Sequence, residues 1–266
     1  MLEPFEVLFE EAGLSGAGLP DELRRVYGGD LGFSGPRLYA NFVSTVDGVV
    51  AIPSLPSSNE TIAGGSEADR FLMGVLRALA DVILIGAGVL RASPRGTWLP
   101  EKVYPPGAEA FAELRRRLGR PERPEVAVVT GRGQIDPAHP LLASGVVVLT
   151  SERGAKRLRP LLPPASTLVP LGEGTQIDGS VLRNALHERG HERILSEAGP
   201  HVFGSLLRAG VVDELFLTVS PQLAGDAGPG SRLRLVEQAD LVPLLRLSPL
   251  SLRRHGGHLF ARYAVG

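Results

Sequence analysis

The stretch ILSEAGPHVFGSLLRAGVVDELFLTVSPQLAG, residues 194–225, decides the fold. Ile194–Ser196 is apolar and β-prone, and Glu197-Ala198-Gly199-Pro200 breaks it. Val202, Phe203, Leu206 and Leu207 then recur at helical spacing, Gly210 stands where a helix should end, and Leu215–Val219 reads as a buried strand. The pattern is strand, glycine turn, helix, strand. Pro200 falls near the first helical position, where its missing N–H costs nothing. A glycine turn that opens a helix directs unpaired backbone N–H groups and the positive end of the helix dipole outward. An anion, usually a phosphate, is the expected guest.

The same alternation extends on both sides. Upstream, Leu38–Val50 reads as a strand interrupted at Asp47-Gly48. Ser66–Ala80 reads as a helix with a capping-box start, Ser66 to Asp69, and an apolar face of Phe71, Leu72, Val75, Leu76 and Leu79. Val82–Ile85 is an unbroken apolar run ended by Gly86-Ala87-Gly88, as expected for a strand buried on both faces. Residues 91–107, rich in proline and glycine, read as one long loop. A helix over Ala108–Leu118, strands at Val126–Thr130 and Val146–Thr150, a basic helix over Gly154–Leu162 and a strand near Thr167–Leu171 follow. A helix capped by Asp178 then runs to Arg189. Downstream, Leu245–Leu252 and His258–Val265 around Gly256-Gly257 read as an antiparallel hairpin. The expected fold is a three-layer α/β/α arrangement with a mainly parallel central sheet and the hairpin at one edge. Residues 1–37, with a short helical piece opening at Pro20-Asp21, read as an arm packed on the main domain, 38–266, or on a partner subunit.

Bulk properties narrow the function. The chain has 266 residues, a formal net charge of −1 and no cysteine. No global field favours nucleic acid or an anionic membrane, and disulfides and cysteine-ligated metals are excluded. The acidic start, MLEPFEVLFEEAG, is unlike a signal peptide, and no apolar run is long enough to span a bilayer. A soluble, cytoplasmic protein is expected. The histidines show no metal-ligand spacing, so no metal is assigned.

In open α/β sheets ligands lie at the carboxyl ends of the strands. Four segments fall on that edge here: Gly86-Ala87-Gly88, Thr130-Gly131-Arg132, Thr150-Ser151 and Glu197–Pro200. Glycine, hydroxyl and arginine on one edge suit a phosphorylated cofactor. The run from Gly86 to Arg91 is not a dinucleotide fingerprint, because it lacks the third glycine and the acidic residue on a following strand. It reads equally as a close approach to a ligand or as a packing turn. Arg77 reads on position alone as a surface arginine.

NFVSTVDGVVA (Asn41–Ala51), LRALADVILIGAGVLRA (Leu76–Ala92), SEAGPHVFGSLLRAGVVDELFLTVSPQLAG (Ser196–Gly225) and GHLFARY (Gly257–Tyr263) resemble four successive blocks of the riboflavin-biosynthesis pyrimidine reductase family. The resemblance implies a dihydrofolate-reductase-like fold and an NADPH-dependent reductase, usually a homodimer. Such enzymes deliver hydride to the ribose C1′ of a phosphoribosylamino-pyrimidine. Carried over by position, Gly199, Pro200, His201, Val202, Phe203, Gly204 and Ser205 would hold the cofactor's diphosphate. Val43 would face the cofactor through its backbone. Gly86, Gly88 and Val89 would line it, and Thr130 would sit by the adenosine phosphate. Arg132 is added on physical grounds as a partner for a 2′-phosphate. Arg77, Glu197 and Asp47 would form the substrate site, Arg77 and Glu197 by contact and Asp47 by ordering the active-site strand.

Two departures stand out. Val89 replaces the family's usual threonine, and Ser93-Pro94-Arg95 replaces an Asp-Asn-Pro element. The zinc deaminase of bifunctional relatives needs cysteine and is not expected in this chain. The altered loop keeps open a same-fold reductase acting on another carbonyl, imine or pterin-like compound. A non-catalytic dinucleotide-binding dimer is the remaining alternative.

Overall fold

The computed structural model describes residues 2–266. Its strands are β1 (Glu6–Glu10), β2 (Arg37–Ser44), β3 (Val49–Ala51), β4 (Val82–Gly86), β5 (Glu125–Thr130), β6 (Val147–Thr150), β7 (Thr167–Pro170), β8 (Arg193–Ser196), β9 (Glu214–Val219), β10 (Leu233–Arg234), β11 (Leu247–His255) and β12 (His258–Val265). Its α-helices are α1 (Asp21–Tyr27), α2 (Ser58–Ile62), α3 (Glu67–Leu79), α4 (Ala87–Ala92), α5 (Pro100–Val103), α6 (Ala108–Arg117), α7 (Pro140–Ala143), α8 (Glu152–Leu158), α9 (Gly179–His187) and α10 (Pro200–Arg208).

A ten-stranded sheet runs β1-β11-β12-β9-β2-β8-β4-β5-β6-β7. From β9 to β7 every neighbouring pair is parallel, while β12, β11 and β1 add antiparallel pairings at one end. The mixed three-layer α/β architecture expected from the sequence is therefore the one observed. β8 returns from the far end of the sheet to lie between β2 and β4, and α10 then carries the chain across β2 to β9. The strand order thus reverses at the centre, the place where open α/β sheets carry their ligands.

Side-chain alternation explains the layering. On β4, Val82 and Leu84 face one layer, with α9 and α10, while Ile83 and Ile85 face the other, with α3 and α6. β5, β6 and β8 divide in the same way. Two apolar cores result, one on each face. α3 begins as the capping pattern requires: the Ser66 hydroxyl accepts the Asp69 N–H at 3.2 Å. Its far end is capped by Arg115, a fully buried residue of α6 that donates to the carbonyls of Ala78 and Ala80 at 3.1 and 2.7 Å.

Three parts differ from the sequence reading. Residues 91–107 are not a single loop. α4 follows β4 directly, α5 starts at Pro100 and a 3-10 turn starts at Pro105. Proline at a first helical position starts a helix as readily as an internal one breaks it, and buried Trp98 and Tyr104 pin the segment to the core. The first 37 residues are more than an arm with one helix. They supply β1 to the sheet edge, and Leu2, Phe5, Leu19 and Leu31 enter the core on the α3 face. Arg253 of β11 donates to the Tyr27 carbonyl at 2.9 Å and stacks on the Tyr27 ring, tying this segment down. Finally, α2, α7 and the short β10–β3 pairing carry no signal that the sequence reading caught.

Candidate functional site

The carboxyl edge of the parallel strands gathers most of the expected residues. β4 and β8 are neighbours, and each ends in a glycine-bearing turn that opens a helix: Gly86 is the N-cap of α4 and Gly199 that of α10. The two turns touch. A Cβ on Gly86 would lie 3.7 Å from the Gly199 nitrogen, and one on Gly199 would lie 3.7 Å from Cγ2 of Val89. Gly88 and His201 are exposed, and Val89, Gly199 and Val202 are half-buried. Two sets of first-turn amides therefore meet at the solvent edge of the sheet centre.

The Gly199–Ser205 segment divides. Gly199, Pro200, His201 and Val202 form the first turn at the edge. Phe203 is buried against Phe42, with ring centroids 4.8 Å apart. Gly204 packs under the Glu237–Ala239 segment, where a Cβ would come 2.6 Å from the Glu237 carbonyl oxygen. The Ser205 hydroxyl donates to the Ile177 carbonyl at 3.0 Å. Phe203, Gly204 and Ser205 are thus taken up by packing, and the first turn alone stands at the edge.

Along the same edge, Thr130 ends β5 and its hydroxyl accepts the Gln134 N–H at 3.1 Å. The Thr150 hydroxyl donates to the Thr130 carbonyl and the Ser151 hydroxyl to the Gly131 carbonyl, at 2.5 and 2.6 Å. At Gly131 any side chain would collide with the Thr175 carbonyl, so the residue 172–176 loop can close over this corner only because the position is glycine. The result is a cavity of about 420 Å³ lined by Arg132, Gln134, Arg153, Arg157 and Thr175. Arg153 and Arg157 lie four residues apart on one face of α8. Three arginines and no acid line it, which is the charge pattern of a phosphate site. Sequence reading reached Arg132 alone; the spacing of Arg153 and Arg157 in a basic helix was the available signal. A second cavity, about 270 Å³, opens on the amino edge beside Arg37, Glu214 and Arg262. Glu214 there pairs with Arg262 at 2.6 Å and with Arg37 at 3.5 Å, and Asp213 accepts the Leu38 N–H at 2.7 Å.

Arg77 and Glu197 stand at the sheet centre on the α3 face. Position alone made Arg77 a surface residue; it is buried. Its Nε and Nη2 donate to the two carboxylate oxygens of Glu197 at 2.9 and 2.7 Å. Their side chains are 10% and 9% exposed. The planar fork fixes the two groups to each other and leaves Nη1 outside the pair.

Val43, near the end of β2, pairs with Thr218 of β9 and is buried. Asp47 lies in the turn that follows. Its carboxylate accepts from the Thr45 hydroxyl at 2.5 Å and from the Ala224 and Gly225 N–H groups at 3.1 and 2.8 Å. This clasp joins the β2–β3 turn to the segment after β9. Both of its oxygens are taken up by the clasp. The Thr45 hydroxyl and the two backbone amides hold the carboxyl down at about 2. Because the folded value lies below the ordinary 3.8, the contribution to stability is present above that value and is lost as pH falls through about 2. Asp47→Asn should therefore be less stable than the parent in urea at pH 6. The difference should vanish in acid below pH 2, as followed by near-ultraviolet circular dichroism.

The model of the RibD C-terminal domain family matches residues 36–258. The 2,5-diamino-6-ribosylamino-4(3H)-pyrimidinone 5′-phosphate reductase of Archaeoglobus fulgidus is 25% identical over 194 residues, covering 71% of this chain and 82% of that protein. Among solved structures, a pyrimidine reductase-like protein from Corynebacterium diphtheriae superposes with a TM-score of 0.66 at 23% identity, over 87% of this chain and 92% of that one. RibD of Acinetobacter baumannii gives 0.63 at 18% identity, over 87% of this chain and 58% of that one. The riboflavin biosynthesis reductase of Saccharomyces cerevisiae gives 0.60 at 12% identity, over 90% and 94%. The structural likenesses concern the fold. No helix of the described residues is long and apolar enough to cross a membrane.

Proposed function

This chain belongs to the RibD C-terminal domain family, and from that premise we propose that it is an NADPH-dependent reductase of a ribosylaminopyrimidine 5′-phosphate. The observation that carries the cofactor is the continuous edge from the paired helix starts to the three-arginine cavity. The first turns at Gly86–Val89 and Gly199–Val202 would hold the diphosphate through backbone N–H groups, with the helix dipoles adding to the attraction. Thr130 and Arg132, with Arg153 and Arg157, would hold the adenosine phosphate. Val43 would meet the nicotinamide end through its backbone. When bound, the cofactor supplies the hydride.

The protein's own part is to place the sugar carbon against the cofactor and to keep water out. Arg77 and Glu197, locked as a pair on the α3 face, border the space where the substrate would lie, and Nη1 of Arg77 is available to its phosphate. The relative from Archaeoglobus fulgidus acts on a ribosylamino-pyrimidinone 5′-phosphate by its name, which supports that substrate class here. The replaced Asp-Asn-Pro loop bears on the substrate, not on the cofactor. Ser93 in that loop is tied by its carbonyl to Nε2 of His139 at 3.0 Å.

Titration followed by NADPH fluorescence should give saturable binding, with NADH much weaker. NADPH oxidation should begin on adding either the 2,5-diamino-pyrimidinone or the 5-amino-uracil ribosylamino 5′-phosphate. Binding with oxidation only on another imine or carbonyl compound would move the assignment to a different substrate. Binding with no oxidation on any of them would leave a dinucleotide-binding protein without this activity, and no binding at all would end the reductase reading.

A further inference from the structure

Asp69 has a buried carboxyl that no cation among the described residues pairs. It lies in the first turn of α3 and is only 4% exposed. A capping box would have its side chain reach back to the Ser66 N–H. Here that N–H donates instead to the Ala63 carbonyl at 3.1 Å, so the carboxyl is released inward. The groups around it are Thr218 of β9, His258 at the start of β12, Glu197 and its own neighbour Arg70. None of them neutralises it as a partner. Glu197 is bound to Arg77, Nε2 of His258 is bonded to the Ala63 carbonyl at 3.0 Å, and Arg70 is exposed. Thr218 of β9 faces the Asp69 carboxyl and favours its charged form, and the hydroxyl of Ser220, on the continuation of β9, is buried without a hydrogen-bond partner. A buried polar group left in that way is rare unless a guest completes it.

Resting on the reductase reading above, we propose that Asp69 is the general acid of this enzyme, giving its carboxyl proton to the ring oxygen O4′ of the substrate's ribose. The nitrogen on C1′ pushes its lone pair in to form C1′=N as the C1′–O4′ bond breaks, and O4′ takes the proton from Asp69. Hydride from a reduced nicotinamide then adds to C1′ and returns the electron pair to nitrogen. The sum is one hydride and one proton added to the substrate, and the Asp69 carboxylate recovers its proton from water. The environment suits a donor. Burial pushes the Asp69 carboxyl above the ordinary carboxylate range, more than Thr218 and His258 pull it down. A carboxyl whose proton is held more tightly by burial is suited to donate it in the reaction.

The test compares Asp69→Asn with the parent as full chains. In the free parent, the 13C carboxyl resonance of Asp69 should titrate above the ordinary carboxylate range. The variant should bind NADPH as the parent does and lose kcat by about 10²-fold or more with the ribosylaminopyrimidine. It should also lack the fall in kcat at high pH that deprotonation of the acid produces in the parent. Ser66→Ala, which removes the helix cap but not the carboxyl, should keep the parental pH profile. An Asp69→Asn enzyme within about threefold of the parent in kcat, with the high-pH fall intact, overturns the assignment. If Asp69→Asn does not fold, Asp69→Glu decides in its place: a displaced fall supports it and an unmoved one overturns it. A parent that binds NADPH but reduces no ribosylaminopyrimidine defeats the reductase reading itself and takes this assignment with it.

Discussion

Replacing Arg132, Arg153 and Arg157 together by alanine should weaken NADPH binding about 100-fold and leave NADH binding within about twofold. The three side chains line a cavity at the carboxyl ends of β5 and β6 that contains no acidic residue. A 2′-phosphate there would gain several charge-assisted hydrogen bonds. Each is worth about 1.5–3 kcal/mol when shielded and less at an exposed site. All three arginines are exposed, so a combined effect near 3 kcal/mol, or about two factors of ten, is the reasonable scale. The same exposure predicts strong screening. Parental NADPH affinity should fall steeply between low salt and 0.5 M salt, and the triple variant should lose most of that dependence. Fluorescence titration of both cofactors at two salt concentrations reads all of this. Equal loss for NADH and NADPH would mean that the cavity does not read the 2′-phosphate. The substitutions carry little folding risk, since these side chains contribute nothing to either core.

How far this edge could be read from sequence depended on whether the signal was local. Val82–Ile85 announces a strand buried on both faces because each residue must be apolar, and it is. Pro200 after Gly199 announces a helix start by backbone chemistry alone. The hairpin around Gly256-Gly257 is likewise local, and it appears as read. β1 was missed because EVLFE lies on the sheet edge with every residue exposed, so no alternation marks it. Its partner is β11, near the other end of the chain. Prolines 100, 105 and 106 were read as breakers although two of them begin helical turns, a choice fixed by the burial of Trp98 and Tyr104. The site shows the same division. Gly86, Gly199 and Thr130 were legible as strand-end chemistry. Arg153 and Arg157 acquire meaning only when α8 is placed beside Arg132. Asp69 carried an adequate local explanation as a cap, and only the Ser66–Ala63 hydrogen bond shows that explanation to be incomplete.

Glu197→Ala should cost about 3–5 kcal/mol of folding stability, because it strands the Arg77 guanidinium in a nearly closed site. The loss is far above that of an exposed pair, and the bidentate geometry at 2.9 and 2.7 Å with about a tenth of each side chain exposed places this pair in the buried class. The double variant Arg77→Met with Glu197→Leu removes both charges and refills the volume with apolar atoms. Buried pairs replaced in this way are often neutral or more stable, so urea unfolding should show the double variant within about 1 kcal/mol of the parent. Turnover should behave differently. If the pair serves only to hold α3 against β8, a double variant of parental stability should also keep parental turnover. If the pair positions the substrate, as proposed, kcat/KM for the ribosylaminopyrimidine should remain at least 100-fold down in both variants, while NADPH binding stays near the parental value. Recovery of stability without recovery of activity thus isolates the chemical role of a contact that also supports the fold. Recovery of both would assign Arg77 and Glu197 to architecture and shift substrate recognition to the Ser93–Trp98 segment.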